Sequence, residues 1–387
     1  MKINQWETKQ LDDVATFSSG GTPSKEEANY WEGDYPWISA KDMKCFSIKD
    51  AGLKLTPEGL AVAKIAKKGS VLVLVRGMTL LKDLPVGYVE RDVAFNQDIK
   101  ALVAKSGVLG LFLAYALIAN KNRILNLVNV AGHGTGRLDT TLLKEFPIDL
   151  PPLSEQCKIA EMLGVWDESI DLLERLVGKT RSRKQGLMQQ LLTGKKHFKE
   201  FEGSEWKENR LADLADVIDP HPSHRAPKEY LDGIPFIGIG DISENGDIDF
   251  SKVRKVHPSI ADEHAKAYIV QEGDIAFGRV ASIGKVIKLK VTFFKYTISP
   301  TMALIKPTSN IASSFLQYAL QSTTIGCQIS ALTNGSTRQS LGIMNLRELI
   351  IVTPPLPEQE KIAAVLAAAD EEREHVNFVR TNELNSH

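Results

Sequence analysis

Only three cysteines occur in 387 residues, and Cys45, Cys157 and Cys327 lie far apart without C-x-x-C spacing. That excludes a disulfide framework and a zinc site built on paired cysteines, and it suits reduced thiols in a cytoplasmic protein. Long apolar runs are missing as well. The longest, Val108 to Ala119, is too short to span a bilayer and suits a buried helix. The opening MKINQWETKQLDD has no apolar core of the kind a secretory signal needs. An excess of charge is absent too: 47 Lys and Arg against 48 Asp and Glu leave a net charge of −1. A protein that holds DNA alone is usually basic. Taken alone, the charge is evidence against DNA binding.

Catalytic signatures are equally scarce. Gly178-Lys179-Thr180 resembles the end of a phosphate-binding loop, but Leu173 stands where the first glycine belongs, and the segment lies in a helical pattern. The Pro-Pro pairs in Leu150-Pro-Pro-Leu153 and Thr353-Pro-Pro-Leu356 lack the amide or carboxylate and the aromatic of an adenine methyltransferase site. His221 and His224 lie near Asp219 and could hold a metal, yet no further ligand falls at a telling spacing. A solvated or DNA-facing loop is the better reading. Asp42 and Asp241 fall at equivalent places in two different domains, where they suit turn caps.

What the chain does have is a duplication. PPLSEQCKIAEML (151–163) and PPLPEQEKIAAVL (354–366) share nine of thirteen positions at an offset of 203. LAYAL (113–117) lies over LQYAL (316–320) at the same offset, and Trp6, Leu11, Asp13 and Ala15 meet Trp206, Leu211, Asp213 and Ala215 at 200. A unit of two hundred residues is too long for a solenoid repeat, so this is a domain with an appendage, present twice. Apolar runs after Gly69 and Gly273 predict strands at 71–75 and 275–277, each followed by an arginine, Arg76 or Arg279. Further strands are expected at 99–103, 285–289, 302–305 and 349–352, and helices at 109–127 and 313–329. Each globular unit is thus mixed, the α+β class.

Each unit ends at its Pro-Pro pair and leads into a long helix. Ser154 suits the N-cap of the first and Pro357 the first position of the second. One seam of the first helix holds Ile159, Trp166, Leu173, Thr180 and Leu187, the other Leu163, Ile170, Val177, Lys184 and Leu191. Steps of four and three define a coiled-coil face. The second helix repeats it with Ile362, Ala369 and Val376 against Leu366, Arg373 and Arg380. Neither stripe can be buried alone, so the two helices are expected to pack on each other, antiparallel. The expected limits are 1–153 and 206–356 for the domains, 154–194 and 357–387 for the helices, and 195–205 for a polar linker.

Guanidinium and ammonium groups pair with guanine, carboxamides with adenine, and hydroxyls with either or with phosphate. In the first half such groups gather at Thr22, Ser24 and Lys25, at Lys41, at Arg76, at Asn96 and Gln97, and at His133, Thr135 and Arg137 within GHGTGR. In the second they are His221, Ser223, His224 and Arg225, then Arg279, Ser282 and Lys285, then Ser336, Thr337, Arg338 and Gln339 within GSTRQS. Any one of these also fits an ordinary solvated loop. Together, in paired loops, they make a candidate DNA-reading surface.

The paired Pro-Pro-Leu-x-Glu-Gln-x-Lys-Ile-Ala segments, the GLMQQLLTGK helix end (186–195) and the opening Trp-x-x-x-x-Leu of each half resemble the specificity subunit of type I restriction–modification enzymes over the whole chain. The resemblance implies two target-recognition domains separated by two helices in an antiparallel coiled coil, each domain reading half of a bipartite DNA site. It implies no catalysis and no cofactor in this chain. The implied partners are double-stranded DNA, two methyltransferase subunits using S-adenosylmethionine to methylate adenine N6, and restriction subunits using ATP and Mg. Against that pattern, no conserved segment precedes the first domain and the distal helix is short, which leaves open whether both methyltransferase subunits dock alike. The other readings of the residues are a rod with two protein-binding heads, and a lone methyltransferase or nuclease, which needs a motif the chain lacks.

Overall fold

The computed structural model describes residues 6–131, 134–221, 227–243, 246–280, 282–290, 295–333 and 340–385. The chain forms two compact units, Met1–Ser169 and Ile170–His387.

In the first unit Val71–Leu74 is buried at every position and occupies the middle of a five-stranded sheet. Its order is Ala15–Ser19, Ile99–Ala104, Val71–Leu74, Val86–Val89 and Ser47–Ile48, antiparallel except for the last pair. An uninterrupted apolar run is what a strand covered on both faces requires. The helix Gly110–Ala119 buries Phe112, Leu113, Ala114 and Leu117 in the same core. The helix expected over 109–127 breaks at Asn120, whose amide bonds to the Ala116 carbonyl (2.9 Å), and a separate turn runs Lys121–Leu125. A short polar side chain competes with the helical ladder in this way.

The second unit repeats the plan. Ala215–Ile218, Met302–Pro307, Ile275–Gly278 and Val286–Lys288 form an antiparallel sheet in that order. The last strand is shorter than expected and leaves Lys285 outside. The helix expected over 313–329 is two, Ser313–Leu320 and Thr323–Thr333, because Ser322 caps the second by accepting from Ile325 N at 3.3 Å. Each unit is closed by the same two-stranded ladder: Glu7–Gln10 with Pro147–Leu150, and Lys207–Arg210 with Ile350–Thr353.

The long helices run Leu153–Leu191 and Leu356–Asn385, and each is fastened to its own domain by one repeated set of bonds. The buried Gln156 accepts from Leu109 N (2.8 Å) and donates to Pro151 O (2.8 Å); Gln359 accepts from Ala312 N (2.9 Å) and donates to Pro354 O (2.9 Å). Tyr115 donates to Asp167 at 2.7 Å and Tyr318 to Asp370 at 3.0 Å. Burial, then the carboxylate, pushes the Tyr115 phenol well above its ordinary pKa; Tyr318 is raised by the same two causes. Trp6 reaches Glu155 and Trp206 reaches Glu358, each at 3.3 Å. The repeated PPLxEQ segment is therefore a docking motif for the domain's own helix.

Within the second unit the two helices pack antiparallel. Lys184 pairs with Asp370 (2.6 Å) and Arg183 with Glu372 (2.6 Å), so one numbering falls as the other rises. Ile362 and Leu366 are fully buried, Ala369, Val376, Thr180 and Leu191 nearly so, and Ile170, Leu173, Val177 and Leu187 half-buried. Farther toward its start the central helix is less covered: Ile159 is half-buried, while Leu163 and Trp166 are 36% and 37% exposed.

Candidate nucleic-acid interface

In the first unit, several of the segments singled out by chemistry are brought together at one end of three adjacent strands. Gly20 lies so close to the Asn96 carbonyl that a Cβ there would fall 2.1 Å from it. That contact sets Thr22 beside Gln97, and the hydroxyl donates to the amide oxygen at 2.7 Å. The loop is also pinned by two tryptophans, Trp31 on Ser24 O (3.0 Å) and Trp37 on Gly21 O (3.1 Å), which meet edge to face. Ser24 accepts from Glu26 N, and Lys25 and Lys41 are exposed or nearly so at the surface. Asn96 is instead buried, its amide folded back on Asp98. It shapes the turn that presents Gln97.

Asp98 O accepts from both Val75 N and Arg76 N, which places Arg76 next to this turn. There the chain leaves the main sheet and forms a second one, Val128–Ala131, Thr135–Leu138 and Arg76–Gly77. In its register Asn129 faces Arg137, and Arg137 faces Arg76. All three are exposed. Thr135 is half-buried at the start of its strand, and His133 lies outside the described residues. Asn129 was missed by motif reading. Its signal was the alternation Val128-Asn-Val130 ahead of the Gly-rich GHGTG segment, a hairpin pattern.

In the second unit two of the cations singled out by sequence have partners inside the domain. Arg279 is largely buried, with Nε on Leu341 O (3.0 Å) and Nη1 on Asp219 (3.2 Å), so it ties three segments together inside the domain. Lys285 donates to the carbonyls of Ile239 and Ile242, both at 2.9 Å, and holds the turn after Glu229–Ile237. Both cations are satisfied internally, as partly buried charges must be. Ser282 accepts through its carbonyl from Lys285 N (3.1 Å) and is exposed. His221 is buried against His264 (Nδ1 to Nε2, 2.7 Å), and His264 reaches Thr297 (2.5 Å), next to Tyr268. Burial, then the neighbouring His221, holds His264 below the ordinary histidine pKa. Ser223, His224, Arg225, Ser336, Thr337, Arg338 and Gln339 lie outside the described residues. Asp42 and Asp241 cap turns, accepting from Ser39 N (2.9 Å) and Gly238 N (2.8 Å).

The three cysteines are free and exposed, and among the described residues no group of three or more His, Cys, Asp or Glu side chains is placed to hold a metal ion. No helix among them is long and apolar enough to cross a membrane.

The chain matches the type I restriction modification DNA specificity domain twice, over residues 3–177 and 203–385. It is similar to the type I restriction enzyme MjaIX specificity subunit of Methanocaldococcus jannaschii, 24% identical over 93% of this chain and 86% of that one. It is also similar to the EcoR124I/EcoR124II specificity subunit of Escherichia coli, 30% identical over 43% of this chain and 42% of that one. In fold it resembles the S subunit of a type I restriction-modification system from M. genitalium, with a TM-score of 0.65, 16% identity and coverage of 99% and 95%. A second solved chain, from work on complex assembly and conformational transition of the type I system, gives a TM-score of 0.54 at 19% identity, with coverage of 98% and 93%. Two duplicated recognition domains on paired helices define a DNA-targeting subunit rather than an enzyme. The chain belongs to the type I restriction–modification DNA specificity family.

Proposed function

We propose that each domain reads one half of a bipartite double-stranded DNA site, with limits at 1–153 and 206–356, and that the helix pair sets the gap between the halves. The observation that carries this reading is the combination of one repeated frame with two unlike faces. The Gln156/Gln359 and Tyr115/Tyr318 fastenings recur at an offset of 203, while the candidate reading segments of the two halves differ in sequence. Two methyltransferase subunits, carrying S-adenosylmethionine and directed to adenine N6, dock on the helices, and restriction subunits carrying ATP and Mg join through them, in the cytoplasm. The net charge of −1 supports shared phosphate contact, since neutralised phosphates dominate DNA affinity. The proposed reading surface comprises Thr22, Ser24, Lys25, Lys41, Gln97, Arg76, Thr135 and Arg137 in the first half, and Ser223–Arg225 with Ser336–Gln339 in the second. The test is to replace residues 1–150 by another recognition domain of the family and sequence the methylome of cells expressing the full system. One half of the methylated motif is expected to change and the other to stay. A change in both halves would defeat the modular reading.

A further inference from the structure

The two halves hold equivalent arginines in opposite states. Arg76 and Arg279 stand at one place in the repeated frame: Arg76 N donates to Asp98 O (3.3 Å) and Arg279 N to Thr301 O (2.8 Å), both pairs offset by 203. The Arg279 side chain is committed to Asp219 and the Leu341 carbonyl. In the first half Ser19 stands where the second half has Asp219, and its hydroxyl accepts from Lys100 (2.5 Å). No ion pair forms on the Arg76 guanidinium among the described residues. Arg76 instead lies directly across from Arg137, and Arg137 from Asn129.

Directly opposed residues of antiparallel strands project from one face about 5 Å apart, and like charges so placed are destabilising. The nearby carboxylate, Asp139, accepts from Thr141 N at 2.7 Å and caps the next helix. Two exposed guanidinium groups side by side, with a carboxamide at the end of the row, ask for an acceptor-rich partner. Guanine offers O6 and N7 on its major-groove edge, which suit the two-pronged arginine fork, and adenine offers the edge that suits asparagine. Three strands span about 10 Å, close to three base-pair steps of roughly 3.4 Å.

Building on the reading of this chain as a DNA-specificity subunit, we infer that Arg76 and Arg137 read guanine in the first half-site, with Asn129 at the end of the row set for adenine, whereas Arg279 positions loops of the second without touching a base. The half-site changed by exchanging residues 1–150 then contains guanine. Replacing every guanine of that half-site by 7-deazaguanine removes N7 and should weaken binding by the assembled wild-type complex about tenfold to hundredfold. Arg76→Ala and Arg137→Ala should each lose a similar factor on the normal site and little more on the 7-deaza site. Arg279→Ala should lower the thermal midpoint and weaken the second half-site without changing its bases. A first half-site lacking guanine overturns the inference. So does an equal loss by Arg76→Ala on every sequence, the mark of phosphate contact, or a changed base preference in Arg279→Ala. In all three the subunit still selects DNA. Loss of sequence selectivity by the wild-type complex itself would instead strike the underlying reading.

Discussion

At the scale of single residues, the repeated glutamines carry a clear expectation. Gln156 satisfies one backbone N–H and the carbonyls of Gly107 and Pro151, Gln359 one N–H and one carbonyl, and both are buried. Alanine at either place orphans these groups, at a cost of about 1–3 kcal/mol for each buried polar group left unpaired. Urea unfolding of Gln359→Ala should show that loss, and an unchanged midpoint would remove the docking role. The burial of His264, and after it the neighbouring His221, sets a pH dependence. The His264 pKa is depressed in the folded chain below the ordinary 6.5, so beneath that value the unfolded chain binds more protons. Stability is complete above about pH 6.5 and falls as pH drops through it toward the folded pKa. Glu263 opposes the shift, while Tyr268 and Thr297 face the ring as neutral partners. Urea midpoints at pH 7.5 and 5.5 should differ less in His264→Gln than in the parent.

At the scale of elements, heptad spacing located the helix pair because a seven-residue repeat of apolar groups has few other meanings. Spacing alone did not say how much of the seam is covered. Leu366 is fully buried whereas Leu163, at the same heptad position in the other helix, is 36% exposed. Leu366→Ala should therefore cost about 2–5 kcal/mol, as deep cavities do, and Leu163→Ala less than about 1 kcal/mol. Equal losses in thermal unfolding would contradict the assigned packing. Strands were legible where apolar runs were uninterrupted, as at Val71–Leu74. Breaks at Asn120 and Ser322 were not, since one polar side chain ends a helix through a bond that composition does not display. The roles of Arg279 and Lys285 were hidden for a related reason: a cation in a loop reads the same whether its partner is DNA, Asp219 or a carbonyl. The pairing of Arg137 with Arg76 depends on strand register, which joins residues sixty-one positions apart.

At the scale of the whole molecule, the duplication was the most legible property, because both copies keep the residues that fasten helix to domain. If paired helices space the half-sites, one heptad inserted at matched positions in both adds about 10 Å of helix, or roughly three base pairs of gap. Methylome sequencing should then return the same bases at both ends with a longer interval between them. An unchanged interval at full activity would assign the spacing to something else. The docking bonds also bear on the gene. Residues 151–163 and 354–366 agree at nine of thirteen positions, so a recognition domain recombined at these stretches would meet a similar helix start in either place. A crossover there leaves Trp6–Glu155 or Trp206–Glu358, Tyr115–Asp167 or Tyr318–Asp370, and the glutamine clasp each able to find an equivalent partner. One such exchange would replace a recognition face in a single step, with the scaffold inherited intact.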